Sequence, residues 1–206
     1  MNHEQRAKRY SFLEYLKRRQ EKLQPVPEVV SETKRQHLLA HRFVVMENVG
    51  AALQGLTVPH AIIGGHAVTF HGRPRMTDDV DVLVASENLQ NAIRQLQLQQ
   101  VAPLRTGGYT GTTPAGLRID LVCPNQPWVE SAIANPISTP YGPMVNSPYL
   151  VISKLWDSRG SQDETDVLGV LGRMGDAELN ATRQLVARFL PNDVDDLESL
   201  ITMRHY

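Results

Sequence analysis

The chain has 206 residues and a mass of 23.0 kDa. That suffices for one sizeable core with appendages and is too short for several enzymatic domains. Hydrophobic residues make up 41% and charged residues 21%, which excludes a collagen, a disordered low-complexity chain or a repeat array. Lys and Arg number 21 against 22 Asp and Glu, a net charge of −1; this excludes a globally basic nucleic-acid binder and leaves only a local patch open.

Cys123 is the single cysteine, so no intrachain disulfide can form and a reducing, cytoplasmic setting is expected. The N-terminus is polar and no apolar run approaches 18 residues, so neither a signal peptide nor a membrane span is expected.

Residues 1–55 read as a helical N-terminal arm. Tyr10, Leu13 and Leu16 recur at helical spacing among charged residues, and Pro25-Val26-Pro27 breaks the pattern. A second helix is predicted over 32–53, with Leu39, Phe43, Met46, Val49 and Leu53 as its apolar stripe. Residues 1–24 hold seven Lys/Arg and three Glu, a local excess of +4. Residues 157–206 hold five Arg and ten Asp/Glu, a local excess of −5. Both read as solvated helix faces; the alternative is a basic arm that meets a polyanion such as RNA, or the acidic end of a partner subunit.

Residues 56–145 form the predicted α/β core. Short strands are expected at 61–63, ending in Gly64-Gly65, and at 79–84. A helix is expected over 86–99, capped by Ser86 and buried through Leu89, Ile93 and Leu96. The Gly/Thr-rich stretch 106–116 reads as a hairpin or mobile loop, leading into a strand at 117–122. Pro124, Pro127, Pro136, Pro140 and Pro143 mark a closing loop. Residues 146–206 are helical again, opening on Ser147-Pro148. Further helices carry Val167, Leu168 and Leu171, then Leu179, Leu185, Val186 and Phe189 up to Pro191, and finally Leu197, Leu200 and Met203.

Chemistry concentrates between residues 63 and 120. Asp79 and Asp81 are two apart on a strand, so both carboxylates face one way while Val80, Val82 and Val84 face the other. On the third strand Arg118 and Asp120 face opposite to Ile119 and Leu121. Pairing this strand beside the Asp79 strand puts three carboxylates on one surface. Like charges so placed repel, and a hard divalent ion, Mg²⁺ or Mn²⁺, relieves the repulsion. Gly64-Gly65 alone marks a turn more often than a ligand; beside these acids it permits close backbone approach to phosphate oxygens. His66 and His71 lack partners at metal-ligand spacing and read as pocket-wall or turn residues. Cys123 reads as a small core residue rather than a nucleophile.

The run Gly64-Gly65-His66-Ala67-Val68, then Gly72-Arg73-Pro74-Arg75-Met76-Thr77-Asp78-Asp79-Val80-Asp81, and later Ile119-Asp120-Leu121, resembles the signature of DNA polymerase β-like nucleotidyltransferases. The Arg-x-Thr-x-Asp-x-Asp wording is closest to the AbiEii-like branch, which includes type IV toxins; Lys154 with Arg159, and Asp163 with Asp166, resemble its later motifs. The resemblance spans about residues 60–170. It implies a nucleotidyltransferase fold, a short mixed sheet flanked by helices with helical additions at both ends. It also implies transfer of a nucleoside monophosphate from an NTP to a hydroxyl on RNA such as a tRNA end, on a protein or on a small molecule. Asp79, Asp81 and Asp120 would hold two divalent ions, with Asp120 also aiding deprotonation of the acceptor. Gly64, Gly65, Arg75, Thr77, Lys154 and Asp163 would meet the nucleotide, and a toxin would have a cognate antitoxin. Plainer readings stand beside these roles: Lys154 as a surface lysine, Arg75 paired with Asp78 or with the acidic cluster, and Asp163 and Asp166 as helix N-terminal carboxylates. The alternative for the whole chain is a catalytically inactive binding or regulatory partner of the same fold.

Overall fold

A computed structural model describes residues 48–157 and 160–204. The expected helix at 10–16, most of the one at 32–53, and Arg159 lie outside the described residues. Residues 48–53 are helical, with Val49 and Leu53 buried as the predicted stripe requires.

The architecture is α/β, a mixed sheet of seven strands flanked by helices, as expected. In chain order the elements are β1 (His60–Ile62), α1 (Gly64–Phe70), β2 (Asp79–Val84), a 3₁₀ turn (Ser86–Asn88), α2 (Leu89–Gln95), β3 (Gln99–Pro103), β4 (Gly108–Thr112) and β5 (Arg118–Val122). Then follow α3 (Trp128–Ala134), β6 (Ile137–Thr139), β7 (Gly142–Met144), α4 (Ser147–Trp156), α5 (Ser161–Leu171), α6 (Asp176–Phe189), a second 3₁₀ turn (Pro191–Asp193) and α7 (Val194–Met203). The strands run β3-β4-β5-β2-β1-β7-β6. The central pair, β2 and β5, is parallel; β1 is antiparallel to β2 and parallel to β7.

Alternation on the central strands explains their place. Val80, Val82, Val84, Ile119 and Leu121 are fully buried and share one face, while Asp79, Asp81, Arg118 and Asp120 share the other. The helix α1 packs on β2, α3 packs on β1 and β2, and α2 packs on β5. One apolar cluster runs from Val49 through the strands to Leu150, Leu171, Leu197 and Ile201.

Three expectations need correction. The helix expected over 86–99 is shorter, because Gln97 takes a left-handed φ of 51°. Leu98 N–H donates to Ile93 O and Gln97 N–H to Arg94 O, both at 3.1 Å, a paired closure that ends a helix; a strand, β3, follows. Glutamine gives no sign of this, where a glycine would have. Ser86 does not cap: its hydroxyl donates to Glu87 Oε2 at 3.3 Å. The stretch 124–143, expected as a loop, holds α3 and the β6–β7 hairpin. Pro127 is the residue before α3 and Pro140 lies in the hairpin turn, while Pro143 sits within β7 opposite Ser138. Gly64-Gly65 follows the end of β1, as expected, and opens α1. In α4 the cap is Asn146, whose Oδ1 accepts from Tyr149 N–H at 3.2 Å, with Pro148 in the first turn.

Candidate active site

The site is a corner where β1 runs into α1 over the ends of β2 and β5. In the β2–β5 register Asp81 lies directly opposite Asp120, and Asp79 opposite Arg118. Antiparallel pairing of β1 with β2 then brings Ile63 N–H to Asp81 O at 2.9 Å. Gly64, the next residue, has φ +66°, and a Cβ there would stand 1.8 Å from Asp81 Oδ2. Only glycine combines that backbone with that approach. A Cβ on Gly65 would meet Arg75 Nη2 at 2.8 Å and Thr77 Cβ at 2.9 Å. The two glycines thus let Asp81, Arg75 and Thr77 pack directly against the backbone.

Hydroxyls hold the outer carboxylates. Thr77 Oγ1 donates to Asp79 Oδ1 at 2.6 Å. Thr110, paired with Asp120 across β4 and β5, donates to Asp120 Oδ1 at 2.6 Å. Arg118 adds two contacts to Asp120, Nε to Oδ1 at 3.2 Å and Nη2 to Oδ2 at 3.4 Å. The three acids therefore share a face, but each of the outer two is drawn to its own partner. Among the described residues, no three His, Cys, Asp or Glu side chains approach closely enough to hold a metal ion. Among the described residues three carboxylates and the Arg118 guanidinium share this strand face.

His66 backs the corner, 4% exposed. Burial pushes its pKa down, against the pull of Asp79's charge and backbone, and the Arg75 cation adds to the depression. It is a neutral wall residue, as expected. His71 is held at the end of α1, its Nε2 2.8 Å from Val145 O, and burial lowers its pKa as well. Cys123 is half-buried; burial, then the nearby Glu87 charge, pushes its thiol up, away from the thiolate a nucleophile needs.

Of the residues singled out in the sequence, Gly64, Gly65, Arg75, Thr77, Asp79, Asp81 and Asp120 come together in this corner. Lys154 and Asp163 do not face it directly. Lys154 is 6% exposed, and its Nζ lies 2.6 Å from Asp163 Oδ1 and 3.3 Å from Asp166 Oδ2. Arg75 does pair with a carboxylate, that of Asp166 rather than Asp78, with Nε 3.3 Å from Oδ2. Thr110, Arg118 and Arg73 escaped the sequence reading. The i, i+2 placement of Arg118 before Asp120 was a usable signal; Thr110 becomes visible only once the β4–β5 register is known.

No protein-family model matches the chain, and no curated protein matches it in sequence. Solved structures do superpose on it. An antigenic nucleotidyltransferase-like protein from Paracoccidioides brasiliensis shares 15% identity at a TM-score of 0.40, covering 76% of this chain and 91% of that one. A nucleotidyltransferase-annotated structure from H. pylori shares 16% at 0.45, covering 80% and 81%. The structure of ANT(2")-Ia in complex with adenylyl-2"-tobramycin shares 16% at 0.40, covering 81% and 99%. Similarity at this level leaves the functional argument to the chain's own residues.

Proposed function

We propose that this chain is a metal-dependent nucleotidyltransferase that moves a nucleoside monophosphate from an NTP to a hydroxyl acceptor. One observation carries the reading: Asp81 and Asp120 are opposed across two parallel strands, Asp79 lies two residues along, and a glycine with no room for a side chain packs on Asp81. Hard carboxylate oxygens suit Mg²⁺ or Mn²⁺, which binds through one or two carboxylates and completes its shell with water and substrate phosphates. Asp79 and Asp81 would hold the ion, with Asp120 as the third carboxylate. When bound, it supplies positive charge to the attacking and leaving oxygens of the displacement.

The chain's own groups do the rest. Gly64 and Gly65 would offer backbone N–H groups to phosphate oxygens, and Arg75, packed against Gly65, would serve as a donor fork. Asp120, steadied by Thr110 and Arg118, is placed to take the proton of the acceptor hydroxyl. The +4 excess of residues 1–24 favours RNA, such as a tRNA end, as acceptor. Among the described residues no helix is long and apolar enough to cross a membrane. If the protein is a toxin, its expression arrests growth and a cognate antitoxin restores it.

The inactive alternative draws support from the Arg118–Asp120 ion pair, which occupies the third carboxylate. Incubation with Mg²⁺, each α-labelled NTP and cellular RNA separates the two. Label transfer with pyrophosphate release supports the enzyme; nucleotide binding with no label on RNA, protein or small-molecule hydroxyls supports the binding partner.

A further inference from the structure

Asp166 is the most deeply enclosed charge near the corner, with no exposed surface. Three cations surround it. Arg73 Nη1 hydrogen-bonds its Oδ1, while Arg75 Nε and Lys154 Nζ each stand 3.3 Å from Oδ2. Lys154 also closes on Asp163 one turn earlier in α5, at 2.6 Å. The approach of Arg73 depends on Gly169, one turn beyond Asp166, where a Cβ would fall 2.7 Å from the Arg73 stem.

Arg75 alone among the three cations connects this cluster to the glycine corner. Its backbone is pinned at both ends by Thr69: Thr69 Oγ1 donates to Arg75 O at 3.1 Å and accepts from Arg75 N–H at 3.4 Å. Its Nη1 donates to Met76 O at 3.2 Å. Its Nε side is turned to Asp166, so its Nη2 lies against Gly65. Lys154, by contrast, is 7% exposed at the side chain and faces two carboxylates.

We infer that Asp166 is a positioning residue for Arg75, and that Lys154 serves as counter-ion to Asp163 and Asp166 rather than as a phosphate ligand. This rests on the nucleotidyltransferase reading for the identity of what Arg75 meets, a triphosphate. An unrestrained arginine loses side-chain freedom when it binds; one already held by its ion pair with buried Asp166 and by its Nη1 bond to Met76 O loses less. The buried carboxylate is stable only because cations enclose it, so α5 and the segment carrying Arg73 and Arg75 are locked together.

Two measurements test this. The first needs no nucleotide: the ¹⁵Nε–Hε resonance of Arg75 in the full chain. The inference predicts a sharp, slowly exchanging signal that joins the solvent-exposed arginines in D166N. A mobile Arg75 in the wild-type chain overturns it. The second is the affinity of a nonhydrolysable NTP analogue with Mg²⁺ for R75Q, K154M and R75Q/K154M, which remains informative if D166N fails to fold. R75Q should weaken binding roughly 10- to 100-fold, the loss of a charge-assisted hydrogen bond. K154M should weaken it in the wild-type background and by less than about twofold in the R75Q background, because its effect runs through Arg75. Full additivity would mean that Lys154 meets the phosphates itself, and the inference fails. An ordered Arg75 in a wild-type chain that binds no nucleotide would instead sink the nucleotidyltransferase reading and leave the positioning intact.

Discussion

Two charged regions lie side by side in this molecule and solve opposite problems. The sheet face bearing Asp79, Asp81 and Asp120 is partly open; among the described residues Arg118 pairs with Asp120, and threonine hydroxyls orient Asp79 and Asp120. The cluster around Asp166 is closed, its two carboxylates outnumbered by Arg73, Arg75 and Lys154. Buried charge is tolerated only with partners in place, so the closed cluster is complete as it stands. The open face gathers three like charges on neighbouring strands. In the proposed reading one region holds the fold rigid beside the site, and the other is finished by a ligand. Arg75 joins them.

The largest effect should come from the open face. Asp81→Asn removes a carboxylate that lies against Gly64 and opposite Asp120. Nucleotidyl transfer should fall by at least about 10³-fold, read as label incorporation, while the urea midpoint of unfolding changes little or rises as repulsion is relieved. The closed cluster should behave in reverse. Asp166→Ala strands three cations around a cavity and should cost about 3–5 kcal/mol of stability, measured by urea unfolding.

That contrast was half legible in the sequence. Asp79, Asp81 and Asp120 announced themselves because strand alternation fixes which way a side chain points, and the valines between them fixed which face is buried. The helices of the C-terminal part were readable from their apolar spacing. The closed cluster was not readable, since Lys154 and Asp163 meet across two helices and Arg73 and Asp166 are 93 residues apart; no local pattern encodes such a meeting. The β3 strand was hidden behind a glutamine in a left-handed turn, and β6 and β7 behind Pro136, Pro140 and Pro143, the last of them inside a strand.

A middle-sized effect tests the junction between the two regions. Gly64→Ala places a side chain at φ +66° and within 1.8 Å of Asp81 Oδ2. The strain should cost about 1–3 kcal/mol, and metal binding should weaken as Asp81 is displaced. A Gly64→Ala chain with wild-type stability and metal affinity would show that the close approach is not needed.

The smallest effect concerns pH. His66 is buried behind Asp79, and burial holds its pKa below the ordinary 6.5. The unfolded chain therefore binds the proton first, and stability is complete above pH 6.5. It falls on acidification through the window between 6.5 and the folded value, by up to about 1.4 kcal/mol per pH unit for this group. His60 and His71 shift in the same direction. His66→Gln should flatten the slope of unfolding free energy against pH; an unchanged slope would assign the dependence to the other two.

The central claim is that the open face is an incomplete cation site finished by a nucleotide. Mn²⁺ titration followed by electron paramagnetic resonance, with and without a nonhydrolysable NTP analogue, tests it most directly. The account predicts weak binding by the wild-type chain alone, binding strengthened at least tenfold when the analogue is present (about 1.4 kcal/mol of coupling), and loss of that gain in Asp81→Asn. Equal Mn²⁺ binding by the wild-type and Asp81→Asn chains, with no response to the analogue, would contradict it.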